Sequence, residues 1–365
     1  MIDQAAAVIL PKVKNVPGTQ GISLPQLTFT RFIAAICIVI FHFKATAFPF
    51  NMYSVDNFVK YFNVSVSYFF ALSGFILVIS GSDKINYKKF YINRFARIYP
   101  LYLFALLLTL LLIYNARTPK DTLSFDKIFL SAFLIQSWFK KYALVYNFPA
   151  WSLSAEAFFY LIFPIVIFYF RNISLKTEIM IVGTFWVIMQ TIVIVMLSNG
   201  NDYITAHPIF HLSTFLSGVT AGKLFRDNWY LLKRKLNKLG FILLILIVGL
   251  MFLIYSKNVF FSAWYSNGLL APVFILFIYI VALGENKIFT LLKSKPLQYL
   301  GEISYGIYIL QIPVAIAVYG IVDRTVKLSP TSTFYFYVLI LIITSAITHE
   351  CIEKPFRKNI KRLLS

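Results

Sequence analysis

The chain has 365 residues, 59% of them hydrophobic, and its mean hydropathy is +0.76. Soluble domains of this length do not carry so many long apolar runs, so the composition excludes a soluble globular protein and predicts an all-α, polytopic transmembrane bundle. The net charge of +20 does not indicate nucleic-acid binding here. The basic residues cluster between the apolar runs, where the positive-inside rule and contact with anionic lipid account for them.

Ten apolar runs are long enough to cross a bilayer. In chain order they are 29–48, 62–80, 98–114, 152–170, 178–198, 207–225, 239–256, 265–283, 299–321 and 332–351. A shorter run, 128–139, would place the basic loop 223–238 outside if it crossed, against the positive-inside rule. We therefore expect about ten spans, cytoplasmic termini, and a re-entrant or interfacial segment at 128–139.

This topology predicts three parts of the chain. They are a cytoplasmic N-terminal segment over 1–28, a transmembrane domain over 29–351, and a basic cytoplasmic tail over 352–365. The first 20 residues lack a signal-peptide cleavage pattern, so the first run is expected to remain as a span. Cys37 and Cys351 both lie in apolar runs and indicate neither a disulfide framework nor a zinc site.

The first run contains two ionisable residues, Arg31 and His42, eleven residues apart. In a helix this spacing corresponds to about 16 Å along the axis and brings both side chains to within roughly 20° of one face. An ionisable residue inside a span is costly and therefore marks a functional site. The pair predicts a site that extends from the membrane edge into the interior of the bilayer.

The next two runs add a small-residue pair and an arginine pair. Ser73-Gly74 interrupts the second run and favours close helix packing around the site, with Ser73 as a candidate ligand contact. Arg94 and Arg97 are three residues apart at the predicted cytoplasmic edge, on one side of a helical turn. Their guanidinium groups suit phosphate or pyrophosphate. The alternative is an ordinary positive-inside cluster with snorkelling side chains.

Glu156 is the one clear carboxylate within an apolar run, and it shares a helix face with Ser152 and Tyr160. A capping box would need serine or threonine at the position of Leu153, so capping does not explain the pattern. Topology places Glu156 in the outer half of its span and His42 at or beyond mid-depth. We expect the two to meet, because a carboxylate there would fix the imidazole tautomer. An unrelated structural polar residue is the alternative.

The remaining histidines favour structural roles. His207 and His211 are one helical turn apart but have no second ligand pair or acidic partner, so we expect no metal. His349 and Glu350, followed by residues 353–357, predict an ion-pair cluster at the end of the last run. The sequence contains no Walker A motif, dinucleotide loop or His-Glu-x-x-His, so nucleotide-driven pumping and zinc proteolysis have no support.

Six of the segments occur in one order across about 30–357. They are Arg31-x10-His42, Phe69-Phe70-Ala-Leu-Ser73-Gly74-Phe75, Arg94-x-x-Arg97-Ile-Tyr99-Pro100, Trp151-Ser-Leu-Ser154-Ala-Glu156-Ala-Phe-Phe-Tyr160, Gly301-Glu-Ile-Ser304-Tyr305-Gly-Ile-Tyr308 and Glu353-Lys-Pro355. Together they resemble the membrane acyltransferase-3 family, the multispanning acyltransferases of surface polysaccharides and related glycans. The ten-span core of that family agrees with the topology inferred from charge.

The resemblance implies an O-acyltransferase of the bacterial inner membrane that moves an acyl group, usually acetyl, from cytoplasmic acyl-CoA to a surface glycan or lipid-linked sugar. By resemblance, His42 is the catalytic histidine, as general base or transient acyl carrier, with Arg31 and Glu156 as its catalytic partners. Arg94 and Arg97, together with Arg31, match the basic residues that would hold the CoA phosphates. Substrate contacts are expected at Ser73, Trp151, Ser152, Tyr160 and Tyr305.

One position departs from the family pattern. After the Ser-Tyr-x-x-Tyr segment the family often has a histidine, whereas this chain has Gln311, which cannot titrate. The main alternative function is a proton-coupled secondary transporter of a polysaccharide unit, because intramembrane His and Glu also suit a proton relay. The paired halves and broken helices common in transporters are not visible in the sequence. Direct transfer and an acyl-histidine intermediate both remain open, and the sequence makes no prediction of the oligomeric state.

Overall fold

The computed structural model describes residues 24–44, 47–81, 86–115, 123–236, 242, 265–325 and 327–363. Every regular element in these residues is helical. Seven helical segments among them are long and apolar enough to cross a membrane. They are Gln26–Phe43, Tyr53–Ser80, Tyr87–Asn115, Phe148–Phe170, Leu175–Ser198, Lys295–Thr325 and Pro330–Ile360. The predicted all-α transmembrane bundle is confirmed. Residues 1–23, and all of the predicted span 239–256 except residue 242, lie outside the described residues.

The bundle is built from helices of very different lengths. They are α1 (Gln26–Phe43), α2 (Tyr53–Val59), α3 (Ser65–Ser80), α4 (Tyr87–Asn115), α5 (Phe125–Ala132), α6 (Trp151–Phe170), α7 (Leu175–Ser198), α8 (Leu212–Leu236), α9 (Ala271–Leu283), α10 (Lys287–Leu291), α11 (Lys295–Thr325), α12 (Pro330–Thr348) and α13 (Lys354–Leu363). A 3₁₀ turn, Phe148–Ala150, leads into α6, and a π-helical turn, His349–Glu353, joins α12 to α13.

The short apolar run at 128–139 does not form a membrane-crossing helix. Helix α5 ends at Ala132 after eight residues, which corresponds to about 12 Å and is less than half of a ~30 Å hydrocarbon core. Two tyrosines of α4 hold its end, because Tyr99 and Tyr102 donate hydrogen bonds to the carbonyl oxygens of Ala132 and Ser131 at 2.6 and 2.5 Å. The segment is therefore too short to cross and is fastened to α4 at its end, in agreement with the expectation of a re-entrant or interfacial segment.

Two of the predicted spans have different limits in the structure. The run 207–225 begins with a 3₁₀ turn, and α8 starts only at Leu212. The run 265–283 is divided into a π-helical turn, Tyr265–Leu269, and α9. Gly268 lies in that turn with a φ of 93°, a left-handed conformation that interrupts a regular helix. The hydropathy of the run shows its length but not this break.

Glycines let α3 and α8 approach to backbone contact. A Cβ atom on Gly74 would lie 2.3 Å from the carbonyl oxygen of Phe215, and one on Gly218 would lie 2.1 Å from that of Ala71. The expectation that the Ser73-Gly74 pair allows close helix packing is confirmed.

The same kind of contact joins α1 and α11. A Cβ atom on Gly301 would lie 2.1 Å from the carbonyl oxygen of Thr28. Backbone atoms cannot move aside as the end of a flexible side chain can, so this contact sets the spacing between α1 and α11. These two helices carry Arg31, His42 and Gln311.

Gly301→Ala is therefore expected to force α1 and α11 apart and to destabilise the protein by about 1–3 kcal/mol, the usual cost of overpacking. Gly320→Ala, in the same helix, is the matched control, because no described residue of another element lies within 4 Å of its Cβ position. Thermal unfolding of the detergent-solubilised variants measures the difference. Equal midpoints for Gly301→Ala and wild type would contradict the proposed contact.

Candidate active site

Most of the predicted site residues surround one cavity, which we call the arginine cavity. Helices α1, α3, α4, α6 and α11 all contribute to it. Its polar lining consists of Thr28, Arg31, Ser73, Arg94, Arg97, Ser152, Glu156, Ser304, Tyr305 and Tyr308. The structure thus brings together the three arginines, the carboxylate and three of the five predicted substrate contacts.

Glu156 is held in this cavity by hydroxyl groups from two helices. Tyr160, one turn further along α6, donates a hydrogen bond to its Oε1 atom. Ser73 of α3 donates to the same oxygen at 3.1 Å, and its Oγ lies 3.3 Å from the Tyr160 hydroxyl. The predicted helix face of α6 is therefore present, with Tyr160 supporting Glu156.

The arginine cavity carries an excess of positive charge. In the described part of the chain, Arg31, Arg94 and Arg97 form no salt bridge, and Glu156 is the one carboxylate in the lining. The Arg94 guanidinium lies over the rings of Phe90 and Tyr160, at 5.8 and 5.7 Å from their centroids. Its Nε atom is buried and has no hydrogen-bond partner among the residues that the structure describes. Such an arrangement suits a multiply charged anion such as a phosphate.

His42 lies at the other end of α1, in a separate cavity that we call the histidine cavity. This cavity is lined by Phe41, His42, Lys44, Asn51, Tyr53 and Asp56. Lys44 and Asp56 form an ion pair there. Helix α1 therefore connects the two cavities, with Arg31 at one and His42 at the other.

The partner of His42 is Gln311 rather than Glu156. The Nδ1 atom of His42 lies 2.6 Å from Oε1 of Gln311, and its ring meets that of Phe148 edge-on with centroids 4.6 Å apart. No hydrogen bond joins Glu156 to His42 within the described residues. In this part of the chain, the residue that contacts the imidazole is Phe148, which precedes Glu156 by eight residues. The prediction from sequence therefore placed Glu156 about two helical turns too close to His42.

A layer around Tyr308 lies between the two cavities. The Tyr308 hydroxyl lies 2.6 Å from Oγ of Ser152 and donates to the carbonyl oxygen of Pro149 at 2.9 Å. Tyr308 and Ser152 line the arginine cavity, whereas the carbonyl oxygen of Tyr308 accepts a hydrogen bond from the side chain of Gln311. Tyr308 therefore links the lining of the arginine cavity to Gln311, the neighbour of His42.

Trp151 lies away from both cavities. Its ring packs against His211 and Phe70, with centroid distances of 4.9 and 6.0 Å. Adjacent residues of a helix point about 100° apart. Trp151 therefore faces the α8 side of α6 while Ser152 faces the arginine cavity. Tyr305 lines the cavity, but its hydroxyl donates to the carbonyl oxygen of Ile98 at 2.7 Å.

The other histidines have local partners. The Nε2 atom of His211 lies 3.0 Å from the carbonyl oxygen of Thr205, and His207 accepts a hydrogen bond from the backbone N–H of Ile209. Within the described ranges, no three His, Cys, Asp or Glu side chains form a group that could hold a metal.

The ion-pair cluster predicted at the end of α12 is present. His349 lies 3.6 Å from a carboxylate oxygen of Glu302 and 3.5 Å from one of Glu353. Arg357 pairs with the buried Glu353 at 2.7 Å. The Arg357–Glu353 pair joins α13 to the π-helical turn, and His349 lies beside Glu302 of α11.

Residues 24–350 match the family model described as the acyltransferase domain, and the chain belongs to the acyltransferase-3 family. It is similar to the acyltransferase MdmB of Streptomyces mycarofaciens, with 35% identity over 154 residues, covering 40% of this chain and 39% of that protein. It is similar also to the O-acetyltransferase OatA of Staphylococcus aureus (strain NCTC 8325 / PS 47), with 26% identity over 374 residues, covering 92% of this chain and 57% of that protein. The chain thus spans less than two thirds of the length of these curated relatives. No solved structure matches it.

Proposed function

We propose that this protein is an O-acyltransferase that moves an acetyl group from cytoplasmic acetyl-CoA to a hydroxyl of a surface glycan or lipid-linked sugar. Family membership supports acyl transfer, and the name of the relative OatA supports acetyl as the group and oxygen as the acceptor. The observation that carries the proposal is the pair of cavities at opposite ends of α1. One holds three arginines without salt bridges in the described part of the chain, and the other holds His42.

The arginine cavity is the proposed donor site. Arg31, Arg94 and Arg97 would bind the phosphates of acyl-CoA, which offer several negative charges to a cavity with one carboxylate. Arg31 and His42 are separated by about 16 Å along α1, a distance that an extended pantetheine arm can cover. The phosphates would remain at the cytoplasmic side while the thioester reaches the Tyr308 layer. Acyl-CoA is a substrate here, and the chemistry requires no metal.

The histidine cavity is the proposed acceptor site. Asn51 supplies an amide, Asp56 a carboxylate and Tyr53 an exposed aromatic ring. Such groups bind sugars, because amide and carboxylate oxygens accept hydrogen bonds from hydroxyls and aromatic faces cover the apolar face of a pyranose. A glycan would then approach His42 from the side opposite to the donor.

The chemistry centres on the Nε2 atom of His42, which has no hydrogen-bond partner among the described residues. As general base, this nitrogen takes the proton of the acceptor hydroxyl while the hydroxyl oxygen attacks the thioester carbonyl carbon. The carbon–sulfur bond breaks, and the imidazolium returns the proton to the thiolate, which leaves as free CoA. As acyl carrier, the same nitrogen attacks the carbonyl first and expels the thiolate. The thiolate takes a proton from solvent and leaves as free CoA. The sugar hydroxyl then attacks the acyl carbon, the acyl–nitrogen bond breaks to restore neutral His42, and the hydroxyl proton returns to solvent.

In both routes Glu156 acts at the donor site. It aligns Ser73 and Tyr160 and offsets part of the arginine charge. This assignment replaces its expected role as the direct partner of His42.

We also propose the orientation in the membrane. The protein would lie in a bacterial inner membrane with both termini in the cytoplasm, comprising an N-terminal segment 1–28, a transmembrane domain 29–351 and a basic tail 352–365. Support comes from charge, because Lys88 and Lys89 begin α4 and the basic helix α13 packs against α4.

Arg94→Ala and Arg97→Ala are each expected to raise the KM for acetyl-CoA about tenfold or more, because each removes hydrogen bonds between charged groups. Arg171→Ala, at the exposed end of α6, is the matched control and should leave KM unchanged. Glycan-dependent release of CoA measures the effect. A normal KM for acetyl-CoA in the Arg94→Ala/Arg97→Ala double variant would contradict the proposed phosphate-binding role.

His42→Ala is expected to lower the rate of acetyl transfer by about 10²- to 10⁴-fold, the usual contribution of a general base. The protein should remain folded, with an unchanged unfolding midpoint. His207→Ala is the control, since His207 lies in neither cavity. The assay follows radiolabel from acetyl-CoA to added glycan or lipid-linked sugar in proteoliposomes. If the wild-type protein leaves acetyl-CoA intact with every acceptor of a broad panel, the result would instead favour a transporter.

A further inference from the structure

The residue beside His42 is a fully buried amide. Gln311 has no exposed surface, and its Oε1 atom lies 2.6 Å from Nδ1 of the histidine. It sits within the apolar middle of α11, where a polar side chain is costly unless it is hydrogen-bonded.

The second hydrogen bond of Gln311 fixes which way its amide faces. Its Nε2 atom lies 2.6 Å from the carbonyl oxygen of Tyr308. A carbonyl oxygen can only accept, so the NH₂ group must point there and Oε1 must point to the imidazole. Oε1 in turn can only accept, so the Nδ1 atom of neutral His42 must carry the proton.

We propose that Gln311 is a positioning residue that holds His42 in the Nδ1–H tautomer and so leaves Nε2 as the basic nitrogen. The inference rests on the proposed function, because it identifies Nε2 as the nitrogen that takes up the proton or the acyl group in the proposed reaction. General base and acyl carrier both need a lone pair on that nitrogen.

Neighbouring contacts keep the two side chains aligned. The carbonyl oxygen of Gln311 accepts a hydrogen bond from Tyr337 of α12 at 3.1 Å, and the edge-on ring of Phe148 lies beside the imidazole. The Tyr308 hydroxyl is bound to the start of α6 through Pro149. The orientation of His42 is therefore set jointly by the 3₁₀ turn that precedes α6, by α11 and by α12.

The test is ¹⁵N NMR of histidine-labelled protein in nanodiscs at a pH where His42 is neutral, with His42→Ala used to assign its signals. Wild type should show a protonated Nδ1 and a lone-pair Nε2. Gln311→Met, similar in size but unable to accept this hydrogen bond, should show a substantial Nε2–H population. Gln311→Glu keeps an acceptor oxygen and should retain Nδ1–H. Gln190→Met is the control, since Gln190 is a buried glutamine that bonds to Asn267 instead.

Kinetics give a second readout. Gln311→Met should lower kcat about 10- to 100-fold, as removal of a histidine's orienting partner does at metal sites. The KM for acetyl-CoA should be unchanged because the arginine cavity is intact. An Nε2–H tautomer in wild type, or an unchanged Nδ1–H tautomer in folded Gln311→Met, would overturn the proposal. The NMR result needs no turnover, so absence of acyl transfer by wild type would count against the proposed function alone.

Discussion

The backbone contact between α1 and α11 at Gly301 sets the geometry on which the rest of the site depends. Helix α1 carries Arg31 at one end and His42 at the other, and α11 supplies Tyr308 and Gln311 alongside. With the two helices this close, the Gln311 amide reaches the imidazole at 2.6 Å. A wider spacing would separate them and leave two buried polar groups unpaired, at about 1–3 kcal/mol each. Packing and chemistry are therefore coupled through one glycine.

The division into two cavities gives the proposed reaction its direction. Positive charge collects at one end of α1, where one carboxylate faces three arginines, and the histidine cavity at the other end holds an ion pair of its own. Between them stand Tyr308 and Ser152, both buried. A long, flexible donor with charge at one end and its reactive group at the other fits this arrangement. In the proposed reaction, donor and acceptor therefore bind on opposite sides, and only the acyl group passes between the two cavities.

Much of this was predictable from spacing along single helices. Hydropathy gave most of the spans, and helical periodicity placed Arg94 with Arg97 and Glu156 with Tyr160. The spacing of residues within one helix does not show how deep that helix lies in the membrane relative to its neighbours. For this reason the sequence predicts a contact between Glu156 and His42 that the structure does not have. Helical periodicity also argues against contact of Trp151 and Ser152 with the same substrate, because the side chains of adjacent residues in a helix point about 100° apart. Gln311 carried a usable signal, since an amide inside an apolar run needs a partner, but the sequence does not name that partner.

The most direct test of opposite-side access uses sealed proteoliposomes with acetyl-CoA outside and the acceptor glycan enclosed. Acetyl-CoA is highly charged and does not cross the bilayer unaided, and vesicles containing His42→Ala give the background. The two-cavity arrangement predicts acetylated glycan in the lumen and free CoA outside. Transfer that occurs only when donor and glycan share one compartment would contradict it.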